Sequence, residues 1–145
     1  MKRALAIDLG AARIGIAVSD QLRLLAHPKE TISAKKPAAA FQRILELIRT
    51  LDVDTVLVGL PVKFDGSLGP AAENAQKFAK KLQSATSANV QLWDEAFSTV
   101  TAQQNLHAAG KKTKNSRHII DQAAAQVILQ EYLDAQQNVS PPEAF

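Results

Sequence analysis

The run Thr55-Val56-Leu57-Val58-Gly59 carries no charged side chain and shows no helical periodicity. A strand this apolar must be covered on both faces, which calls for a sheet with helices packed on either side. The rest of the chain offers the partners. Two apolar runs open it, Arg3 to Asp8 and Ile14 to Ser19, and the link through Gly10 suits a hairpin turn. A third extended segment, about Leu24 to Ile32, contains Pro28, which belongs on a sheet edge. After Pro37, Phe41, Ile44, Leu45, Leu47, Ile48 and Leu51 recur at helical spacing. A second helix is expected from Pro70 to about Ser84, a strand over Asn89–Asp94, a helix from near Ser98 to Gly110, and a last helix from about Ser116 to Ala135. The order β β β α β α β α α predicts a five-stranded mixed α/β sheet, a three-strand meander followed by two parallel strands, with helices on both faces. Residues 1–138 read as one domain and 139–145 as a flexible tail.

Composition removes several chemistries. With no Cys among 145 residues there is no disulfide scaffold, zinc–cysteine site, iron–sulfur cluster or thiol nucleophile. The segment Met1 to Asp8 turns acidic too soon for a signal peptide, and no apolar run reaches the roughly 18–20 residues that span a bilayer. The expectation is a cytoplasmic protein without a membrane partner. Charge is unevenly spread: residues 111–120 hold Lys111, Lys112, Lys114 and Arg117 with no acid, and 121–145 hold four acids with no base. A basic block of this kind is either a solvated loop or a phosphate-binding surface.

Three carboxylate positions stand out. Asp8 ends the first apolar strand, where a carboxylate is costly unless hydrated, paired or bound to metal. Asp94-Glu95 ends the last strand in the same way, at the same sheet edge if the two strands are parallel; ligands of open α/β sheets bind beyond that edge. Asp121 heads the stripe Ala124, Ala125, Ile128, Leu129 and Tyr132, which puts it on the core-facing side of its helix. With Ser116 as the helix cap, Asp121 lies one turn too deep for capping. Acids brought together from these places repel one another and need a cation, and oxygen ligands alone suit Mg²⁺ or Mn²⁺. Two such ions can clamp the attacking and leaving oxygens of phosphoryl displacement. The basic block directly precedes Asp121, where it could bring phosphates to the metal.

The chain resembles the YqgF family of bacterial proteins, described as Holliday junction resolvases and as pre-16S ribosomal RNA nucleases. The likeness rests on Ala6-Ile7-Asp8-Leu9-Gly10, Arg13 to Asp20, Val58-Gly59-Leu60-Pro61 with Asp65-Gly66, Asp94-Glu95, Ser98-Thr99, and Ile120 to Ala124 with Ile128-Leu129-Gln130. It implies a ribonuclease H-like fold, with Asp8, Glu95 and Asp121 as catalytic metal ligands and the Gly59–Gly66 loop bordering the site. It also implies a 3′ oxygen as leaving group, with pre-rRNA or four-way DNA as substrate. Arg13, Lys111, Lys112, Lys114 and Arg117 are the expected phosphate contacts. Ala96 stands where the family usually has Arg, which removes one candidate contact. Junction cleavage needs two symmetric sites, and the expected state is a monomer or a weak homodimer.

Other readings fit less well. Ile7-Asp8-Leu9-Gly10 resembles the first phosphate loop of sugar kinases and actin-like ATPases, but those need two such domains, and no P-loop motif is present. His27, His107 and His118 form no zinc spacing and are given no catalytic role. Trp93 reads as core rather than as a platform for stacked bases. A protein that binds structured RNA without cutting it is the alternative from another class, and metal-dependent cleavage separates the two.

Overall fold

The computed structural model describes residues 2–61, 68–94 and 115–138; within the last stretch, 115–121 and 138 are described by their helical backbone. The elements are β1 (Arg3–Leu9), β2 (Arg13–Ser19), β3 (Ala26–Ser33), α1 (Pro37–Thr50), β4 (Val53–Leu60), α2 (Pro70–Ala85), β5 (Asn89–Asp94) and α3 (Asn115–Asn138). The helix expected over 98–110 and the tail 139–145 lie outside the described residues. One sheet runs β3-β2-β1-β4-β5. β1 pairs antiparallel with β2 and parallel with β4, and β4 pairs parallel with β5. The mixed five-stranded sheet is therefore as the sequence implies, with β1 at its centre.

Strand alternation sorts the core into two unlike halves. On one face Leu5, Ile7, Ile14, Ile16, Val56 and Val58 pack with Phe41, Ile44, Leu47 and Ile48 of α1 and Ala75, Ala79 and Leu82 of α2. On the other, Ala4, Ala6, Ala17 and Ala26 with Leu57 receive Ala125, Ile128, Leu129, Tyr132 and Leu133 of α3. That second face is floored almost wholly by methyl groups, so α3 supplies the bulk and can sit close to the strands. Among the described residues, no helix is long and apolar enough to cross a membrane.

The edge and the turns have local causes. At β3 the register passes from Ile16↔Glu30 to Ala17↔Pro28, so Lys29 is the extra residue of a bulge beside a proline without an N–H. Both devices discourage pairing with another chain. Arg43 of α1 holds β3 from the side, its guanidinium donating to both carboxylate oxygens of Glu30 at 2.9 and 2.8 Å. Its third donor reaches Glu46. The hydrogen bonds and charge of Arg43 hold the Glu30 carboxyl below its ordinary value of 4.5. In the β1–β2 turn the Gly10 N–H donates to the Arg13 carbonyl at 2.8 Å. A Cβ on Gly10 would lie 2.5 Å from that same oxygen.

Gly10→Ala is therefore expected to lower stability by about 1–3 kcal/mol, through a turn that must shift to admit the methyl group; urea unfolding measures it. Glu30 has its pKa depressed in the folded state, so its contribution is present above about pH 4.5 and is lost as pH falls through the lower folded value. Thermal melts of Glu30→Gln should accordingly fall less steeply than wild type as pH drops below about 4.5, with the two curves converging in acid.

Candidate active site at the carboxyl edge of the sheet

The parallel strands β1, β4 and β5 all end at one edge of the sheet, and Asp8 lies there on the central strand. It follows Ala4 and Ala6 on the α3 face and is half-buried. Its partner across the antiparallel ladder is Gly15, and the partner of Gly15 in turn is Thr31. On the other side Ile7 pairs with Val58, so the next residue of β4 is Gly59, itself paired with Trp93. Glycines thus stand in both strands that flank Asp8, and neither contributes a side chain beside the carboxylate.

Trp93 belongs to the same face. Its ring packs edge-on against Tyr132 of α3, with centroids 5.7 Å apart, and its indole N–H donates to Glu131 at 3.2 Å. Trp93 is half-buried and packs against the border of this core rather than lying within it. Alternation then puts the next residue, Asp94, on the opposite side of β5, where it pairs with Leu60 and is exposed. Asp94 thus does not share a face with Asp8. Glu95 lies outside the described residues, as do Lys111, Lys112 and Lys114, the Asp65-Gly66 part of the loop after β4, and Ala96.

Helix α3 crosses this edge. Its stripe Ala124, Ala125, Ile128, Leu129 and Tyr132 is buried as its spacing predicts. Asp121 and Arg117 fall on its helical backbone, and their side chains lie outside the described residues. The neighbour of Asp121 is informative: Gln122 donates from Nε2 to Thr31 Oγ1 at 2.8 Å. Thr31 belongs to the row Asp8–Gly15–Thr31, so the turn of helix that contains position 121 is set over the strand row that holds Asp8. Two further glutamines continue the attachment at four-residue spacing. Gln126 Nε2 donates to the Ala26 carbonyl at 3.0 Å, and Gln130 both accepts from the Ala26 N–H at 2.9 Å and donates to the Leu24 carbonyl at 3.2 Å. Sequence reasoning assigned these glutamines no part; their i, i+4, i+8 spacing beside an apolar stripe was the available signal. Arg13 begins β2 at the same edge, two residues from Gly15 and on its face, half-buried. Among the described residues no three His, Asp or Glu side chains come together as a metal group; of the expected ligands, Asp8 is the one whose side chain they include.

A central strand ending in a carboxylate, in a mixed sheet of this order closed by a C-terminal helix, defines the ribonuclease H-like class. Solved structures agree on the fold: T. thermophilus RuvC in complex with Holliday junction substrate superposes with a TM-score of 0.60 at 15% identity, covering 98% of this chain and 99% of that one. The yeast mitochondrial Holliday junction resolvase Ydc2 gives 0.60 at 9% identity, covering 94% and 79%. The family model described as "RuvX: Holliday junction resolvase" matches residues 2–135. A Geobacillus sp. (strain WCH70) protein named "Putative pre-16S rRNA nuclease" is 44% identical over 137 residues, 93% of this chain and 99% of its own. A Chloroflexus aurantiacus protein of the same name is 43% identical over 134 residues, covering 92% and 88%. The chain belongs to the RuvX family, a family of nucleases, and its chemistry is hydrolysis of phosphodiester bonds in nucleic acid. Nucleases of this fold generally use divalent metal ions.

The Gln122–Thr31 contact can be tested apart from activity. Thr31→Val removes the acceptor and leaves a half-buried amide without it, which should lower stability by about 1–2 kcal/mol, while Thr31→Ser keeps the hydroxyl and stays near wild type. Urea denaturation of the two variants is the measurement.

Proposed function

We propose that this protein trims the 5′ end of pre-16S ribosomal RNA as a metal-dependent nuclease in the cytoplasm, acting as a monomer or weak homodimer. The observation that carries the reading is Asp8 at the carboxyl end of the central strand, between glycine-bearing neighbours and under the helix that contains Asp121. The name of the relatives at 43–44% identity supports ribosomal RNA as the substrate.

In this reading Asp8, Glu95 and Asp121 would hold Mg²⁺ or Mn²⁺, a donor set of carboxylate oxygens that suits either ion. Bound there, the metal would supply an activated water and offset charge on the departing 3′ oxygen. The protein's own part is to keep the carboxylates together against their repulsion. The first strand and α3, tied by the apolar stripe and by Gln122 on Thr31, would do this for Asp8 and Asp121. Arg13, on the face and edge of Asp8, would take a phosphate oxygen, and Lys111, Lys112, Lys114 and Arg117 would extend that contact along the backbone. Such contacts give affinity and register without base specificity.

Four-way DNA is the second reading. The family description and the resolvase neighbours favour it, and it requires two copies of the site arranged symmetrically.

Cleavage of labelled pre-16S rRNA 5′ fragments and of a four-way DNA junction, each with Mg²⁺, Mn²⁺ or EDTA, decides between them. The expected result is metal-dependent cutting of the RNA. Asp8→Asn should reduce it by more than the about 10–100-fold that loss of a metal ligand's hydrogen-bonded support costs. Cutting of the junction alone would transfer the assignment to DNA. Tight binding with no cutting under any metal would make this a binding protein.

A further inference from the structure

β3 runs parallel to β1, because both are antiparallel to β2. The segment that leaves β3 therefore emerges at the same edge as Asp8, two strands away, or about 10 Å at ordinary strand spacing. It is fastened there: the Ala34 N–H donates to the Ala12 carbonyl of the β1–β2 turn at 2.9 Å, and the Lys35 N–H to Ser33 Oγ at 3.3 Å. The next side chains are Lys35 and Lys36, both exposed.

Among the described residues no neighbouring acid cancels their charge, whereas several other cations are held by carboxylates. Lys2 pairs with Asp52, Arg23 with Asp54, and Arg43 with Glu30 and Glu46. Among the described residues neither Lys35 nor Lys36 has a carboxylate within ion-pair distance. Glu30 of β3 is already taken by Arg43, and the first turn of α1 contains no acid. Between Asp8 and the lysines lie Gly10, Ala11 and Ala12, a turn with no side chain larger than a methyl group. Beside the lysines is a hollow of about 390 Å³, walled by Ile32, Ser33, Ala39 and Ala40.

From this arrangement we infer that Lys35 and Lys36 form a second phosphate-binding rim for the nucleic-acid strand. The strand crosses the bare β1–β2 turn, its phosphates on the two ammonium groups and a sugar or base over the apolar hollow. The inference rests on the nuclease reading for its substrate. It adds to that reading a direction for the strand, which runs from Asp8 toward β3 as well as toward α3.

The test is binding of fluorescein-labelled pre-16S rRNA fragment and four-way DNA in EDTA, over a salt series, to wild type, Lys35→Ala/Lys36→Ala and the control Lys77→Ala/Lys80→Ala. The control removes the same charge from exposed positions on α2. The rim variant should bind more weakly and lose about 1.4–1.8 units of log Kd against log salt slope, the release expected for two contacts. The control should keep both its slope and its kcat at saturating substrate. An unchanged slope in the rim variant, an equal loss in the control, or a wild type that binds neither substrate would overturn the inference. Lysine-dependent binding without metal-dependent cutting sinks the nuclease reading and leaves the rim standing. Cutting without lysine-dependent binding does the reverse.

Discussion

Close seating of α3 on the sheet is the contact that the candidate site depends on. Ala4, Ala6, Ala17 and Ala26 give that face a floor of methyl groups, and Ile128, Leu129, Tyr132 and Leu133 fill the space above it. Larger side chains on the strands would push the helix outward, and with it the turn that carries position 121. Packing of this kind fixes distance but fixes register along the helix axis less well, because apolar contacts are not directional. The glutamines at 122, 126 and 130 supply the missing direction. Each amide meets a partner on β3 or the segment before it, so the helix is located along its length as well as in height.

Much of the fold is legible from local patterns. The uncharged run around Val56-Leu57-Val58 demands cover on both sides, Pro28 marks the edge strand, and the spacing from Phe41 to Ile48 marks the buried side of α1. Each signal lies within a few residues of the element that it describes. The glutamine attachments and the Glu30–Arg43 pair are different in kind. Gln126 and Ala26 are 100 residues apart, and an amide that bonds a distant backbone carries the same local signature as one that faces water.

The candidate site is legible in the sequence to the extent that its parts obey strand and helix periods. An acid after an apolar strand pointed to Asp8, and the helical stripe pointed to Asp121. Asp94 shows where that reasoning stops without a structure. Both acids of the pair follow the strand, and the observed pairing of Asp94 with Leu60 is what turns it to the α1 and α2 side. The neighbours of Asp8 were also hidden, since a glycine's value at position 15 comes from the residue opposite it.

Chain order gives the architecture a temporal side. The strand with Asp8 precedes, by more than a hundred residues of chain, the helix that covers its face. Until that helix emerges, the alanine floor of β1 and β2 has no lid, and the nascent chain presents half of a cleft.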